Sequence, residues 1–75
     1  MKNEYLLNAL VMKLEGEAAV HEANVRVYME SPVGIGEHPQ IIESIETEIA
    51  KLAEALEKID TINANFYAKA QRSEL

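Results

Sequence analysis

The sequence predicts an all-α fold, an antiparallel two-helix hairpin of the coiled-coil kind that completes a four-helix bundle by dimerisation. Three observations predict it. Apolar residues recur at helical spacing over two long stretches, most turn-forming residues fall between those stretches, and the first helix has a second apolar face. The 75 residues are expected to form one domain, 1–75, with helices at about 3–30 and 39–72 and a turn at 31–38.

The stretch between the helices carries the residues expected of a chain reversal. Pro32 lacks a backbone N–H and disfavours helical conformation in the residue before it, so the first helix should end there. Gly34 and Gly36 can adopt positive φ without steric cost, which allows the chain to turn back. Pro39 suits the first position of a helix, which makes His38 the expected N-cap.

The two helices are expected to meet along a hairpin seam, an apolar stripe in which facing residue numbers add up to about 70. The stripe recurs at three- and four-residue spacing, and in the second helix it continues for about four heptads. Glu48 and Lys51 are expected outside it, while Asn24 and Asn63 are expected as polar breaks near it. The predicted seam residues are Leu7, Val11, Leu14, Ala18, His21, Val25, Tyr28, Ile42, Ile45, Ile49, Leu52, Leu56, Ile59 and Phe66.

The first helix carries a second apolar face, which we call the α1 face. At 100° per residue its members lie opposite the seam, and most of them are small. One of them is a glycine, which costs about 1 kcal/mol relative to alanine inside a helix. A hairpin cannot cover this face by itself, so the sequence predicts an oligomer interface there, in a two-fold dimer, made by Tyr5, Ala9, Met12, Gly16, Ala19, Ala23 and Val27.

Charge and composition exclude several classes of function. Thirteen acidic and seven basic side chains give a net charge of −6, which disfavours nucleic-acid binding and suits a basic protein partner. There are no cysteines, so disulfides and thiolate metal sites are excluded. The start of the sequence lacks the pattern of a signal peptide, and no apolar run approaches the ~20 residues of a membrane span. We therefore expect a soluble protein, cytoplasmic in a host cell or virion-associated.

No residue pattern indicates catalysis, a metal or a cofactor. Gly34 and Gly36 lack the further residues of a phosphate-binding loop, and Glu37 beside them would repel an anion. His21 has Glu17 four residues before it, which favours a seam histidine hydrogen-bonded to a carboxylate. The spacing matches neither the Glu-x-x-His of di-iron bundles nor the motif of zinc proteases. We expect no enzymatic activity and no cofactor.

The turn segment resembles a family of proteins. Val27-Tyr-Met-Glu-Ser-Pro-Val-Gly-Ile-Gly-Glu-His-Pro39, running into Ile41-Ile-Glu-Ser-Ile45, is similar to short uncharacterised proteins of tailed bacteriophages. The similarity covers about the middle two-thirds of the chain, and the Glu-x-Pro-x-Gly-x-Gly-Glu-His-Pro pattern is its most specific part. The resemblance implies a viral origin and a helical hairpin, and it transfers no functional residues.

These observations favour a small, non-enzymatic interaction or structural protein that self-associates through its first helix. The alternative is an acidic inhibitor or adaptor that binds a basic surface of a host protein, such as a nucleic-acid enzyme. In that case the acidic cluster of Glu15, Glu17 and Glu22 would be the contact. A host or phage protein is the expected partner in addition to a second copy of the chain.

Overall fold

The computed structural model describes residues 4–30 and 38–67, and within these ranges every residue is helical. Helix α1 spans Glu4–Glu30, helix α2 spans His38–Ile62, and a π-helical turn follows at Asn63–Tyr67. At 1.5 Å per residue, α1 is about 40 Å long. The all-α prediction is confirmed for the described ranges, which contain no strand.

Helices α1 and α2 pack against each other in antiparallel orientation. Near the start of α1, Asn8 accepts a hydrogen bond of 2.7 Å from the Tyr67 hydroxyl, beyond the end of α2. Further along α1, His21 contacts Glu48, in the first half of α2. Residues later along α1 thus meet residues earlier along α2, as expected of an antiparallel pair, and His21 with Glu48 matches the expected total of about 70. The helical-hairpin prediction is confirmed.

The core of the hairpin is small and lies between α1 and α2. Leu14 and Ala55 are each only 3% exposed, and Ala18 and Ile62 are also buried. Two of these four residues are alanines, whose short side chains let the two helix backbones come close together. All seven seam residues predicted in α1 are buried or partly buried in this contact.

The α2 side of the contact differs from the predicted seam. Ile45, Leu52 and Ile59 are partly buried as expected, but four expected seam residues are exposed: Ile42, Ile49, Leu56 and Phe66. Their places are taken by Ile41, Glu48, Ala55 and Ile62. Apart from Phe66, which follows Leu56 by ten residues, both sets recur every seven residues, so each defines a regular stripe on the helix. The observed stripe brings the Glu48 carboxylate to polar side chains of α1, and it places the small side chain of Ala55 in the buried core.

Helix α2 also differs from prediction at both ends. It begins at His38, one residue early, which makes His38 helical rather than an N-cap, within the usual variation of helix ends. The α-helix ends at Ile62, and the π-helical turn continues to Tyr67. There the Asn65 side-chain amide donates a 2.8 Å hydrogen bond to the Thr61 carbonyl, the acceptor that an α-helix assigns to the N–H of residue 65.

Some predicted features fall outside the described residues. Pro32, Gly34 and Gly36 of the predicted turn are among them, and so is the last part of the predicted second helix, residues 68–72. For Pro39 the structure describes only its place in the first turn of α2.

Candidate interaction surfaces

A polar cluster lies inside the contact between α1 and α2. His21 Nδ1 is 2.7 Å from Glu48 Oε1, and the Asn24 side-chain amide donates a 3.0 Å hydrogen bond to the same oxygen. The His21 and Glu48 side chains are only 21% and 16% exposed. A carboxylate oxygen accepts from two donors here, so each buried polar group has a partner. The cluster joins the two helices at a defined rotation of α2.

The polar cluster favours the ionised form of Glu48. The hydrogen bond from Asn24, followed by that from His21, lowers the pKa of Glu48 below the ordinary glutamate value. Partial burial acts in the opposite direction and is outweighed. The cluster therefore holds a carboxylate with its negative charge inside the helix contact.

The partner of His21 is not the one that the sequence indicated. Glu17 instead accepts a 2.6 Å hydrogen bond from Lys13, which lowers the pKa of Glu17. The carboxylate that reaches His21 comes from Glu48, expected on the outer surface of the second helix. The sequence thus predicts a hydrogen bond between His21 and a carboxylate of its own helix, whereas the structure has this bond between α1 and α2.

The α1 face is exposed along its whole length. All seven of its residues are exposed, and the two largest, Tyr5 and Met12, are 66% and 69% exposed. A β-carbon added at Gly16 would meet no atom within 4 Å. Packing among the described residues therefore gives no reason for a glycine at this position, although a glycine lowers helix stability. Exposed apolar residues aligned along one helix face, with large side chains among them, are typical of an interaction surface.

A second apolar surface, the α2 stripe, consists of Ile42, Ile49 and Leu56. These side chains are 65%, 48% and 47% exposed, and they recur every seven residues along α2. Ile49 lies on the wall of a groove of about 400 Å³ between the helices, which Met29 of α1 also lines. The sequence pattern predicts these apolar residues in the seam, so it does not predict an exposed surface here.

A groove on the opposite side of the hairpin is more polar. It has a volume of about 620 Å³, with Leu10, Leu14 and Ile62 among its lining residues. Two ion pairs also line it, Lys13 with Glu17 at 2.6 Å and Lys58 with Glu54 at 3.8 Å. Its two cations are therefore already paired with carboxylates, and both pairs are largely exposed.

The acidic residues expected to form one cluster lie on two sides of the hairpin. Glu17 lines the groove of about 620 Å³, whereas Glu22 lines the groove beside the α2 stripe. Glu15 precedes Glu22 by seven residues, so it shares the side of Glu22. The predicted cluster of three therefore separates into Glu17 on one side and Glu15 with Glu22 on the other.

The described residues contain neither a cluster of metal ligands nor a membrane-crossing helix. Within residues 4–30 and 38–67, no three His, Asp or Glu side chains are placed to hold a metal ion. Neither α1 nor α2 combines the length and apolar character of a membrane-crossing helix. Comparison of the chain with protein-family models, curated proteins and solved structures finds no match.

Proposed function

We propose that this chain is a non-enzymatic interaction protein that self-associates through the α1 face. The observation that carries the proposal is the exposure of all seven residues of that face on the side of α1 away from α2. Burying such a row on association gains roughly 25 cal/mol for each Å² of apolar surface removed from water. Within residues 4–30 and 38–67, no side chain covers it.

A two-fold dimer is the simplest closed assembly for this surface. In such a dimer the α1 face of one copy meets the same face of the other, and four helices form one bundle. Gly16, at the middle of the face, and Ala23, two turns further along, would let the two α1 backbones approach closely. The resemblance of the turn segment to short phage proteins supports a phage origin for such a small assembly protein.

Absolute mass in solution tests the proposal. Light scattering on a size-exclusion column, across a dilution series, is expected to give twice the 8.4 kDa of the chain. Ala23→Glu places a charge in the α1 face and is expected to give the monomer. Ala50→Glu is the matched control because Ala50 is an exposed residue of α2 among polar neighbours. A folded wild-type monomer throughout the micromolar range would refute self-association.

A second candidate function follows from charge. Glu15 and Glu22 are both exposed on the same side of the hairpin, which suits an acidic adaptor that binds a basic surface of another protein. This candidate predicts that reversing these charges abolishes partner binding and leaves the mass of the assembly unchanged.

A further inference from the structure

We propose that the groove along the α2 stripe binds an amphipathic helix of another protein, with apolar side chains in the groove and Lys or Arg beside them. This inference concerns a different surface from the α1 face and does not require self-association. It deepens the acidic-adaptor candidate, since it locates the binding site and defines the shape and charge of the partner.

The shape and apolar lining of the groove suit the binding of a helix. Its floor is apolar, made by Val25 and Leu52, and Met29 and Ile49 line it as well. The α2 stripe extends beyond it in both directions, with Ile42, Ile49 and Leu56 each about 10 Å from the next at 1.5 Å per residue. A seven-residue repeat of this length matches the apolar stripe of a partner helix laid alongside α2.

The edges of this surface are acidic. On α2, Glu46 lies between Ile42 and Ile49, and Asp60 follows Leu56 by four residues; both acidic side chains are exposed. On α1, Glu15 and Glu22 lie on the same side, as shown above. These four carboxylates surround an apolar strip.

The basic side chains nearby offset only one of these four carboxylates. Arg26 lines the groove and donates a 2.8 Å hydrogen bond to Glu22, which leaves the other three negative charges of the edge in place. Lys58 lies in the groove on the opposite side of the hairpin. Lys51, two residues after Ile49, lies about 200° around α2 from it. The surface of the α2 stripe is therefore apolar and net acidic.

Charge decides between a second copy and a different partner. If two copies met through the α2 stripe, Glu46 and Asp60 of both copies would lie at the same interface, and like charges in contact disfavour association. A helix with Lys or Arg next to its apolar stripe would instead pair its cations with these carboxylates. Interfaces of this kind gain specificity and association rate from complementary charge.

Three synthetic helical peptides of three heptads provide the probe. They share one apolar Leu stripe and differ only in the flanking positions, which are Arg, Gln or Glu. Titrated against the full 75-residue chain at 0.15 M salt, the Arg peptide is expected to bind at least about tenfold more tightly than the Gln peptide. The Glu peptide is expected not to bind, and a higher salt concentration should weaken the binding of the Arg peptide.

Variants assign the binding to the α2 stripe. Ile49→Glu, at a side chain that is already about half exposed, is expected to lower the affinity for the Arg peptide at least about tenfold. Ile42→Glu should act in the same direction. Ala23→Glu, in the α1 face, should leave peptide affinity unchanged while it alters the mass, so the two proposals succeed or fail separately. Circular dichroism verifies that each variant is folded.

Charge reversal gives a second readout. The double variant Glu46→Lys, Asp60→Lys is expected to bind the Arg peptide more weakly and the Glu peptide more tightly than wild type does. Glu57→Lys, at an exposed residue of the opposite groove, should change neither affinity. The proposal is overturned if the Arg peptide does not bind, if the Arg and Glu peptides bind alike, or if Ile49→Glu binds as wild type does. A loss of dimer mass in Ile49→Glu would assign the stripe to a second copy and would also overturn it.

Discussion

His21 Nδ1 and Glu48 Oε1 lie 2.7 Å apart across the contact between α1 and α2, although 27 residues separate them in the chain. Asn24 donates to the same carboxylate oxygen from one turn further along α1. A carboxylate at this position can be satisfied only when α2 is rotated to bring Glu48 into the seam. That rotation leaves the α2 stripe in solvent, so one partly buried polar cluster determines which apolar surface the protein presents.

Replacing Glu48 should destabilise the hairpin. In Glu48→Ala the donors of His21 and Asn24 remain partly buried and lose their acceptor, and unsatisfied buried donors are costly. We expect the melting temperature to fall by about 5 °C or more, as measured by circular dichroism. Glu46→Ala, two residues earlier and exposed, is the control and should change it little.

The polar cluster also predicts how stability depends on pH. Because the pKa of Glu48 is lowered in the folded chain, its contribution is complete above the ordinary glutamate pKa of 4.5 and is lost as the pH falls below that value. The melting temperatures of wild type and Glu48→Gln should therefore differ at pH 7 and converge in acid. If the difference in melting temperature between the two proteins stayed constant down to about pH 3, the stabilising role of the Glu48 carboxylate would be contradicted.

A control separates Glu48 from the other carboxylate with a lowered pKa. Glu17 is paired with Lys13 in an exposed ion pair, so it also loses stabilisation in acid. Exposed pairs are screened by salt far more than partly buried ones. The pH dependence that Glu17→Gln removes should shrink in 0.5 M NaCl, whereas that removed by Glu48→Gln should persist.

Two alanines in α2 provide a test of the observed rotation. Ala55 is 3% exposed in the core of the hairpin, whereas Ala53, on the same helix, is exposed. Ala55→Leu adds bulk where there is no room and should lower the free energy of unfolding by about 1–3 kcal/mol. Ala53→Leu makes the same substitution at a solvent-exposed position and should alter the free energy of unfolding by less than about 0.5 kcal/mol. Urea denaturation measures both values.

The sequence predicts α1 better than α2 for a physical reason. In α1 the seam and the α1 face lie on opposite sides, so one apolar stripe is clearly separate from the other. In α2 two stripes lie side by side and share Ile45, Leu52 and Ile59, and the stripe with more isoleucine and leucine was expected in the seam. The structure buries the stripe that contains Glu48.

The α2 rotation depends on an interaction between distant residues. His21 and Asn24 need a carboxylate, and only the fold shows which of the acidic residues can reach them. Periodicity in a single helix cannot supply that information, because a charged residue counts against a seam position until its partner is known. The exposed α2 stripe is the consequence, and the sequence alone gave no signal for it as a separate surface.

Gly16 distinguishes the stability of the hairpin from the stability of its assembly. In the hairpin a β-carbon at this position meets nothing within 4 Å, so Gly16→Ala should raise the free energy of unfolding of the monomer by about 0.5–1 kcal/mol. In a dimer formed through the α1 face, the larger Gly16→Leu side chain should keep the two helices apart and raise the dissociation constant at least about tenfold. Urea denaturation in the Ala23→Glu monomer background measures the first effect, and light scattering across a dilution series measures the second. Unchanged dimer mass in Gly16→Leu at every concentration would show that Gly16 does not lie at the interface, and the α1 face would then lose its central contact.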